Sequence, residues 1–398
     1  MSASTEKPPL NTILPPLIFG CGTFNTQYNK DPYALDTAGL VAEALKLGVR
    51  AFDTSPYYGP SELLLGAALD QPFVHENFPR DEYFILTKCG RIKSDEFDYS
   101  PEWVRESVKR SLERLRTSYL DVVYCHDVEF VGPEEVLAAV QELRRIRDQD
   151  NTVRYVGISG YPVEVLCSLA ERIKDETGEP IDVVMSYSNY NLQNTTLASK
   201  GVERLKKAGV QVVPNASLLN MGLLRKDGVA VGGQPDWHPA PQELRKAVAK
   251  ASDFVAQHGE LLEVIAIRWG LETWLSIGSD VGTLGDPASG VPFSRESNKT
   301  VGRKKMGVGV IGLSTVDELM KTMLVWRSIL DGLEDGKETA RKAGRWDKDH
   351  EWSLNRRKAV QMMAEGVQQV LGEWMGYTWD SPPPGFVNQR KRRLEEQR

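Results

Sequence analysis

The stretch LDVVYCHD, residues 120–127, is a run of apolar and β-branched residues that ends on a histidine and an aspartate. Its length and composition predict a buried β-strand. Runs of the same kind recur along the chain, and together they predict eight strands, over residues 17–22, 49–54, 83–89, 121–126, 154–159, 182–188, 211–216 and 308–313.

Segments with helical periodicity separate these runs, among them residues 36–47, 101–115 and 134–147. The second of them opens with Ser100 and Pro101, which is a helix start signal. Strands that alternate with helices form parallel βαβ units, and eight such units close into a barrel. We therefore predict an α/β fold, namely a (β/α)8 TIM barrel with loop insertions and extra C-terminal helices.

The domain organisation follows from where this regularity is interrupted. The gap before the eighth strand contains a Gly/Pro-rich stretch, an apolar helix and a loop-like stretch, whereas the C-terminal part contains an amphipathic helix and a Pro-rich, charged end. Such an end is typical of a mobile segment. We predict a lead-in over residues 1–16, a barrel over 17–330 with insertions at about 225–245 and 278–306, a helical extension over 331–380 and a mobile tail over 381–398.

Composition excludes several classes of protein. With 41% hydrophobic and 26% charged residues the chain is typical of a soluble globular protein, and its net charge of -6 does not suit nucleic acid. The sequence contains no uninterrupted apolar run of about 18 residues, so it does not predict a membrane span. The four cysteines show no Cys-x-x-Cys spacing, so we expect no metal site and a reducing, cytoplasmic location. A small-molecule substrate is the expected partner, and the sequence leaves a monomer and a homodimer open.

Four residues suited to proton transfer lie at or just beyond predicted strand ends: Asp53, Tyr58, Lys88 and His126. In a barrel these strand ends converge on one face. A tyrosine, with an ordinary pKa near ~10, is a poor acid or base at neutral pH, but a nearby ammonium lowers that pKa. Lys88 could supply the charge, Asp53 could hold Lys88 in place, and His126 could hydrogen-bond a substrate oxygen. This combination predicts proton transfer coupled to hydride transfer.

The motifs FDTSPYYG, LTKCG, LDVVYCHD, VGISG and IGLS are similar in order and spacing to the signatures of the aldo-keto reductases, over about residues 17–330. This resemblance implies that Tyr58 is the proton donor and acceptor, with Asp53, Lys88 and His126 completing a catalytic tetrad. Tyr57 competes for the tyrosine role. The motif places the tyrosine five residues after the aspartate and just before a glycine, which favours Tyr58.

The resemblance also implies a nicotinamide cofactor on the catalytic face. The glycine-rich GCGTFN at residues 20–25 lacks the pattern of a Rossmann fingerprint. By motif position, the implied cofactor contacts are Gly22, Thr23, Asp53, Ser159, Tyr187, Asn215, Ser217, Leu218, Ser314 and Glu318. Two positions depart from the family pattern. Gly160 replaces an asparagine that many members have, and Asn215 replaces a tyrosine that stacks on the nicotinamide.

The variants VGISGYP, SYSNYNL and NASLLNMGLL resemble the sugar dehydrogenases of this family, which oxidise D-arabinose or L-galactose at the anomeric carbon. Residues 312–320 include Asp317 and Glu318 but no Arg or Lys, which favours NAD, with its free 2′-hydroxyl, over NADP. NADP stays possible because Arg303, Lys304 and Lys305 precede the last strand. Two alternatives stay open: an NADPH-dependent aldehyde or ketone reductase, and a nicotinamide-binding regulatory or scaffold subunit.

Overall fold

A computed structural model describes residues 7–229, 238–287, 304–333 and 346–396. Within these residues eight parallel strands close into a barrel in the order β1 to β8, with β8 pairing to β1. The strands are β1 Leu17–Gly20, β2 Ala51–Asp53, β3 Phe84–Cys89, β4 Leu120–His126, β5 Val153–Gly160, β6 Val183–Tyr187, β7 Pro214–Ala216 and β8 Val308–Gly312. The predicted (β/α)8 TIM barrel is therefore confirmed, with strands that are mostly shorter than predicted.

The α-helices of the described residues surround this barrel or extend it. They are α1 Leu10–Ile13, α2 Thr37–Lys46, α3 Ser61–Leu69, α4 Pro72–Asn77, α5 Pro101–Leu115, α6 Pro133–Arg145, α7 Val163–Thr177, α8 Val202–Lys207, α9 Gln242–Gln257, α10 Leu262–Ile277, α11 Val316–Asp331, α12 Trp346–Leu371 and α13 Gln389–Glu396. Ser100 caps α5 as predicted, because its side chain accepts a hydrogen bond from the Trp103 amide.

Helix α9 was missed in the sequence. The helix α9 begins inside the predicted insertion at about 225–245, whose Gly/Pro-rich start suggested a loop. A buried stripe at Leu244, Val248, Ala251 and Val255 has the three-to-four-residue spacing of a helix and was the available signal. Residues 230–237 and 288–303, which contain much of both predicted insertions, lie outside the described residues.

Strand alternation decides which side chains enter the barrel. Ala51, Leu86 and Val122 belong to the interior cluster of buried residues, whereas Cys89 and Cys125 pack in the outer layer between strands and helices. Because alternate residues of a strand point to the same side, polar residues two or four positions beyond the interior apolar ones also point inward. The strand pattern thus directs ionisable side chains into the carboxyl-terminal mouth of the barrel.

The opposite end of the barrel is closed by the lead-in. Leu10 and Leu14 are fully buried with the interior cluster. The Leu10 amide donates to Oε1 of Gln211 at 2.7 Å, and the Leu284 amide donates to the Asn11 carbonyl at 2.8 Å. A packed floor leaves the carboxyl ends of the strands as the face available to a ligand.

The C-terminal extension packs on the outside of the barrel. Helix α12 lies against α9, α10 and α11, and the buried residues Val360, Ala364 and Val367 form its contact stripe. Arg357 reinforces this packing, since its Nε donates to Oε1 of Glu272 at 2.7 Å. In the part of the chain that the structure describes, no helix is both long and apolar enough to cross a bilayer.

The segment of residues 375–390, here called the strap, runs across the loops that follow β6, β5, β4 and β3. Its contacts continue past Phe386, inside the segment of residues 381–398 for which the sequence predicts a mobile tail. The Gln389 amide donates to the Asp95 carbonyl at 2.9 Å, and Arg390 pairs with Asp98. Phe386 packs edge-on against Phe130, with ring centres 4.9 Å apart. These partners are distant in sequence, so local composition could not reveal them.

Candidate active site

The structure brings Asp53, Tyr58, Lys88 and His126 together at the mouth of the barrel. Asp53 is the last residue of β2, Lys88 lies near the end of β3 and His126 ends β4. Tyr58 follows β2 in a tight turn, in which the Tyr58 amide donates to the Ser55 carbonyl at 3.1 Å. Three neighbouring strands therefore position all four side chains.

Lys88 forms a buried ion pair. Its Nζ donates to Oδ1 of Asp53 at 2.6 Å and to the carbonyl of Thr54 at 2.8 Å. Burial alone lowers the pKa of Lys88, but the carboxylate of Asp53 and the phenol of Tyr58 outweigh burial and raise that pKa above its ordinary value. Lys88 is therefore a fixed positive charge at neutral pH.

This charge lies beside Tyr58. The Nζ atom of Lys88 is 4.9 Å from the centre of the Tyr58 ring. Burial raises the pKa of the Tyr58 phenol, and Lys88 opposes this effect without overcoming it. The ammonium of Lys88, taken alone, predicts a lowered pKa for Tyr58. Burial was the missing contribution, because it depends on the packed barrel mouth.

The His126 ring stands edge-on to Tyr58, with ring centres 5.6 Å apart and planes at 90°. Its Nδ1 lies 3.0 Å from Oγ of Ser55, within hydrogen-bond distance. Burial, together with the nearby cations Lys88 and Arg91, lowers the pKa of His126 to about 3, although the carboxylate of Asp127 opposes this shift. His126 is thus a neutral imidazole that can exchange hydrogen bonds with a substrate oxygen.

A second polar group, which sequence reasoning did not identify, adjoins these four residues. Tyr57, Arg91 and Asp127 form it, and we call it the arginine cluster. Arg91 Nη2 donates to the Tyr57 hydroxyl at 3.0 Å, and its Nη1 donates to Oδ2 of Asp127. The available signal was the position of Tyr57 and Asp127, each directly beside a residue of the predicted tetrad.

The candidate cofactor residues near β1 and β8 are joined by hydrogen bonds. Thr23 Oγ1 donates to the Leu313 carbonyl at 2.7 Å, and Asn29 Nδ2 donates to Oγ of Ser314 at 3.1 Å. The Ser314 amide in turn donates to Oε2 of Glu318 at 2.8 Å. The residues after β1 and β8 therefore form one connected edge of the barrel mouth.

The other candidates lie at the carboxyl ends of β5, β6 and β7 or just beyond β7. Ser159 pairs in register with His126 on the neighbouring strand, and Tyr187 is the last residue of β6. Asn215 and Leu218 are buried. Asn215 Nδ2 donates to the Tyr190 carbonyl at 2.9 Å. The Leu218 side chain occupies the space that any side chain larger than glycine would need at position 270. Ser217 Oγ accepts from the Met221 amide at 2.7 Å.

These residues fit a nicotinamide cofactor in one specific respect. A Cβ atom at Gly22 would lie 3.5 Å from Cε2 of Tyr58, so a side chain there would cover the Tyr58 ring. The glycine keeps the space over this ring open for a flat group. Among the residues described, no cluster of three His, Cys, Asp or Glu side chains is arranged to bind a metal ion.

The strap forms a wall of the same mouth. Trp379 stacks on Tyr161, with ring centres 4.8 Å apart and planes within 2°. Ser381 Oγ donates to Oε1 of Glu129 at 2.8 Å, and the same oxygen accepts from the Tyr161 amide at 3.1 Å. Burial first, and Asp127 second, raise the pKa of Glu129 to about 8. A Cβ at Gly160 would lie 2.4 Å from Oε2 of Glu129. The carboxyl group therefore occupies the space that the family's asparagine would need.

A closed (β/α)8 barrel with Asp, Tyr, Lys and His side chains gathered at its mouth defines a class of oxidoreductases. The chain belongs to the aldo/keto reductase family, whose model matches residues 16–327. Enzymes of this family use nicotinamide cofactors and act on small carbonyl substrates.

Three relatives are dehydrogenases of sugars by name. The chain is 41% identical to D-arabinose 1-dehydrogenase of Saccharomyces cerevisiae over 265 residues, which are 66% of this chain and 77% of that protein. It is 37% identical to L-galactose dehydrogenase of Arabidopsis thaliana over 59% of this chain and 70% of that protein. It is 27% identical to D-threo-aldose 1-dehydrogenase of a Pseudomonas species over 60% of this chain and 77% of that protein.

Proposed function

We propose that the protein is an NAD-dependent aldose 1-dehydrogenase that oxidises a sugar of the D-arabinose or L-galactose type at C1 to the lactone. The observation that carries this proposal is the placement of Tyr58 beside the Lys88–Asp53 pair and edge-on to His126. The names of the relatives at 41% and 37% identity supply the substrate class.

The proposed reaction breaks the O–H and C1–H bonds of the anomeric centre and forms the carbonyl of the lactone. When bound, a nicotinamide cofactor supplies the acceptor for the hydride that leaves C1. Tyr58, as phenolate, takes the hydroxyl proton and later releases it to solvent. Lys88 stabilises that phenolate, while Asp53 holds Lys88 charged and in position. Neutral His126 hydrogen-bonds the anomeric oxygen and orients it toward Tyr58.

The preference for NAD rests on the residues after β8. Asp317 and Glu318 are carboxylates in the first turn of α11, and a 2′-phosphate would be repelled by them. A basic group that the sequence did not predict also lies near these carboxylates. Arg225 Nη2 is 3.9 Å from Oε1 of Glu318. This cation weakens the repulsion, so NADP is the cofactor to compare with NAD.

The experiment measures absorbance at 340 nm with purified protein, either oxidised cofactor and D-arabinose, L-galactose or L-fucose, and in a parallel assay with NADPH and simple aldehydes. We expect formation of NADH with at least one aldose, with the lactone identified by NMR, and a higher kcat/KM with NAD than with NADP. Oxidation of NADPH by simple aldehydes without aldose oxidation would instead establish a reductase. Cofactor binding without any turnover would establish a regulatory or scaffold subunit.

A further inference from the structure

Two adjacent tyrosines at the mouth of the barrel contact two different cations. Tyr58 lies beside Lys88, whereas the Tyr57 ring is stacked under the guanidinium of Arg91, 3.8 Å from ring centre to Cζ. Arg91 also donates to the Tyr57 hydroxyl at 3.0 Å. Tyr57 is therefore held apart from the Lys88 pair, although it is the immediate neighbour of Tyr58.

The arginine cluster is rigid on its inner side. Asp127 is almost fully buried, and burial opposes its ionisation, but the guanidinium of Arg91 holds the pKa of Asp127 below its ordinary value. The Arg91 side chain is 16% exposed, so it is not sealed from solvent. The resulting ion pair is a fixed platform rather than a pair of flexible surface charges.

Arg91 retains donors for a ligand. A guanidinium has five N–H groups, and among the described residues three of them donate, to Tyr57, Asp127 and the Lys93 carbonyl. Two N–H groups are therefore left over, beside a phenolic oxygen that can both donate and accept. This combination suits a hydroxyl group, which both donates and accepts hydrogen bonds.

The position of the cluster relates it to the substrate. The Tyr57 ring stands edge-on to His126, with ring centres 5.9 Å apart. His126 Nε2 also lies 3.6 Å from Oδ2 of Asp127. A sugar whose anomeric oxygen contacts His126 would thus carry its further hydroxyl groups within the neighbourhood of Tyr57 and Arg91.

We propose that Tyr57 and Arg91 form a hydroxyl-recognition subsite that selects polyhydroxylated substrates over simple carbonyl compounds. This inference rests on the proposed aldose oxidation and adds the residues that would recognise the hydroxyl groups of the sugar beyond C1. Asp127 acts as a positioning residue, because it fixes Arg91 without contacting the ligand. A subsite built around polar groups disfavours an analogue that lacks the matching hydroxyl, since the buried donors would then stay unpaired.

The chain offers a matched control at the other end of the same strand. Tyr119 precedes β4, and Arg80 stacks on its ring at 4.0 Å while donating to Asp121 at 2.7 Å. This second tyrosine, arginine and aspartate group lies at the barrel floor, away from the mouth. Tyr119→Phe therefore removes a comparable hydroxyl without touching the proposed subsite.

The test compares wild type, Tyr57→Phe, Arg91→Met and Tyr119→Phe on the best aldose and on its monodeoxy analogues. In wild type we expect one deoxy analogue to lose roughly 10- to 100-fold in kcat/KM. In Tyr57→Phe and Arg91→Met the parent sugar should lose a similar factor and this discrimination should vanish. Tyr119→Phe should keep both the activity and the discrimination.

The outcomes separate this inference from the proposed function. If wild type oxidises no aldose, the proposed function fails, and the subsite falls with it before any variant is compared. If wild type oxidises aldoses but Tyr57→Phe and Arg91→Met retain its discrimination among deoxy sugars, the subsite is wrong and the function stands. Equal losses on every substrate in both variants would show a merely structural cluster and would also overturn the subsite.

Discussion

The Nζ atom of Lys88 lies 2.6 Å from Oδ1 of Asp53, and both side chains are buried at the mouth of the barrel. Removing one member of a buried ion pair leaves an uncompensated charge, whereas removing a surface pair costs little. The pair also faces Tyr58, so its loss should affect both stability and proton transfer.

We expect Lys88→Met to lower the free energy of unfolding by about 3–5 kcal/mol, because Asp53 would stay buried without its partner. Urea denaturation measures this change. Lys207→Met is the control, since Lys207 pairs with Glu203 at 3.3 Å on the surface and its loss should cost at most about 1 kcal/mol. Equal effects of the two variants would contradict a buried charge pair.

The rate of aldose oxidation should rise with pH from neutral into the alkaline range. Oxidation requires the phenolate of Tyr58, and burial raises the pKa of this group, so the active form increases as pH rises. His126, with a pKa of about 3, is already neutral and should add no step between pH 6 and 7. A profile of kcat/KM against pH checks both statements. A rate that falls with rising pH would exclude a phenolate base.

Gly160→Ala should destabilise the barrel mouth by about 1–3 kcal/mol, as overpacking does. The new Cβ would lie 2.4 Å from Oε2 of Glu129, and that carboxyl is held by the Tyr161 amide and by Ser381. A double-mutant cycle with Glu129→Ala is the control. Gly160→Ala should lower the free energy of unfolding by less once the Glu129 carboxyl is absent. Additive effects would show that the two positions do not compete for space.

The strap should be protected from hydrogen exchange in the native protein. The Gly376 amide donates to the Gln193 carbonyl at 2.7 Å, and the Gln389 amide donates to the Asp95 carbonyl at 2.9 Å. Trp379→Ala removes the stack on Tyr161 and should speed exchange at Gly376. Trp352→Ala, at an exposed position of α12, should leave it unchanged. Exchange of the Gln389 amide at the rate of an unfolded chain would support the mobile tail that the sequence suggested.

The barrel itself could be predicted because its signals are local. Each strand is a short apolar run, and the alternation along β3 and β4 decides that Lys88 and His126 enter the barrel while Cys89 and Cys125 face the helices. Because parallel strands end on a common face, the convergence of the four candidate residues followed from their positions at strand ends.

What could not be predicted depends on contacts between distant parts of the chain. The strap meets Glu129 and Gln193 across more than 180 residues, and no local pattern marks such partners. The pKa of Tyr58 depends on how completely the mouth is packed, which a sequence motif does not express. Arg91 was missed because its role arises only when β3 and β4 bring it beside Asp127.

The central claim is that Tyr58 transfers the proton, and Tyr58→Phe tests it most directly. The measurement is kcat for oxidation of the best aldose with NAD, together with the dissociation constant of NADH from fluorescence titration. We expect kcat to fall by roughly 10²- to 10⁴-fold with little change in NADH affinity, because only the proton carrier is removed. A Tyr58→Phe variant that keeps wild-type kcat would contradict the account.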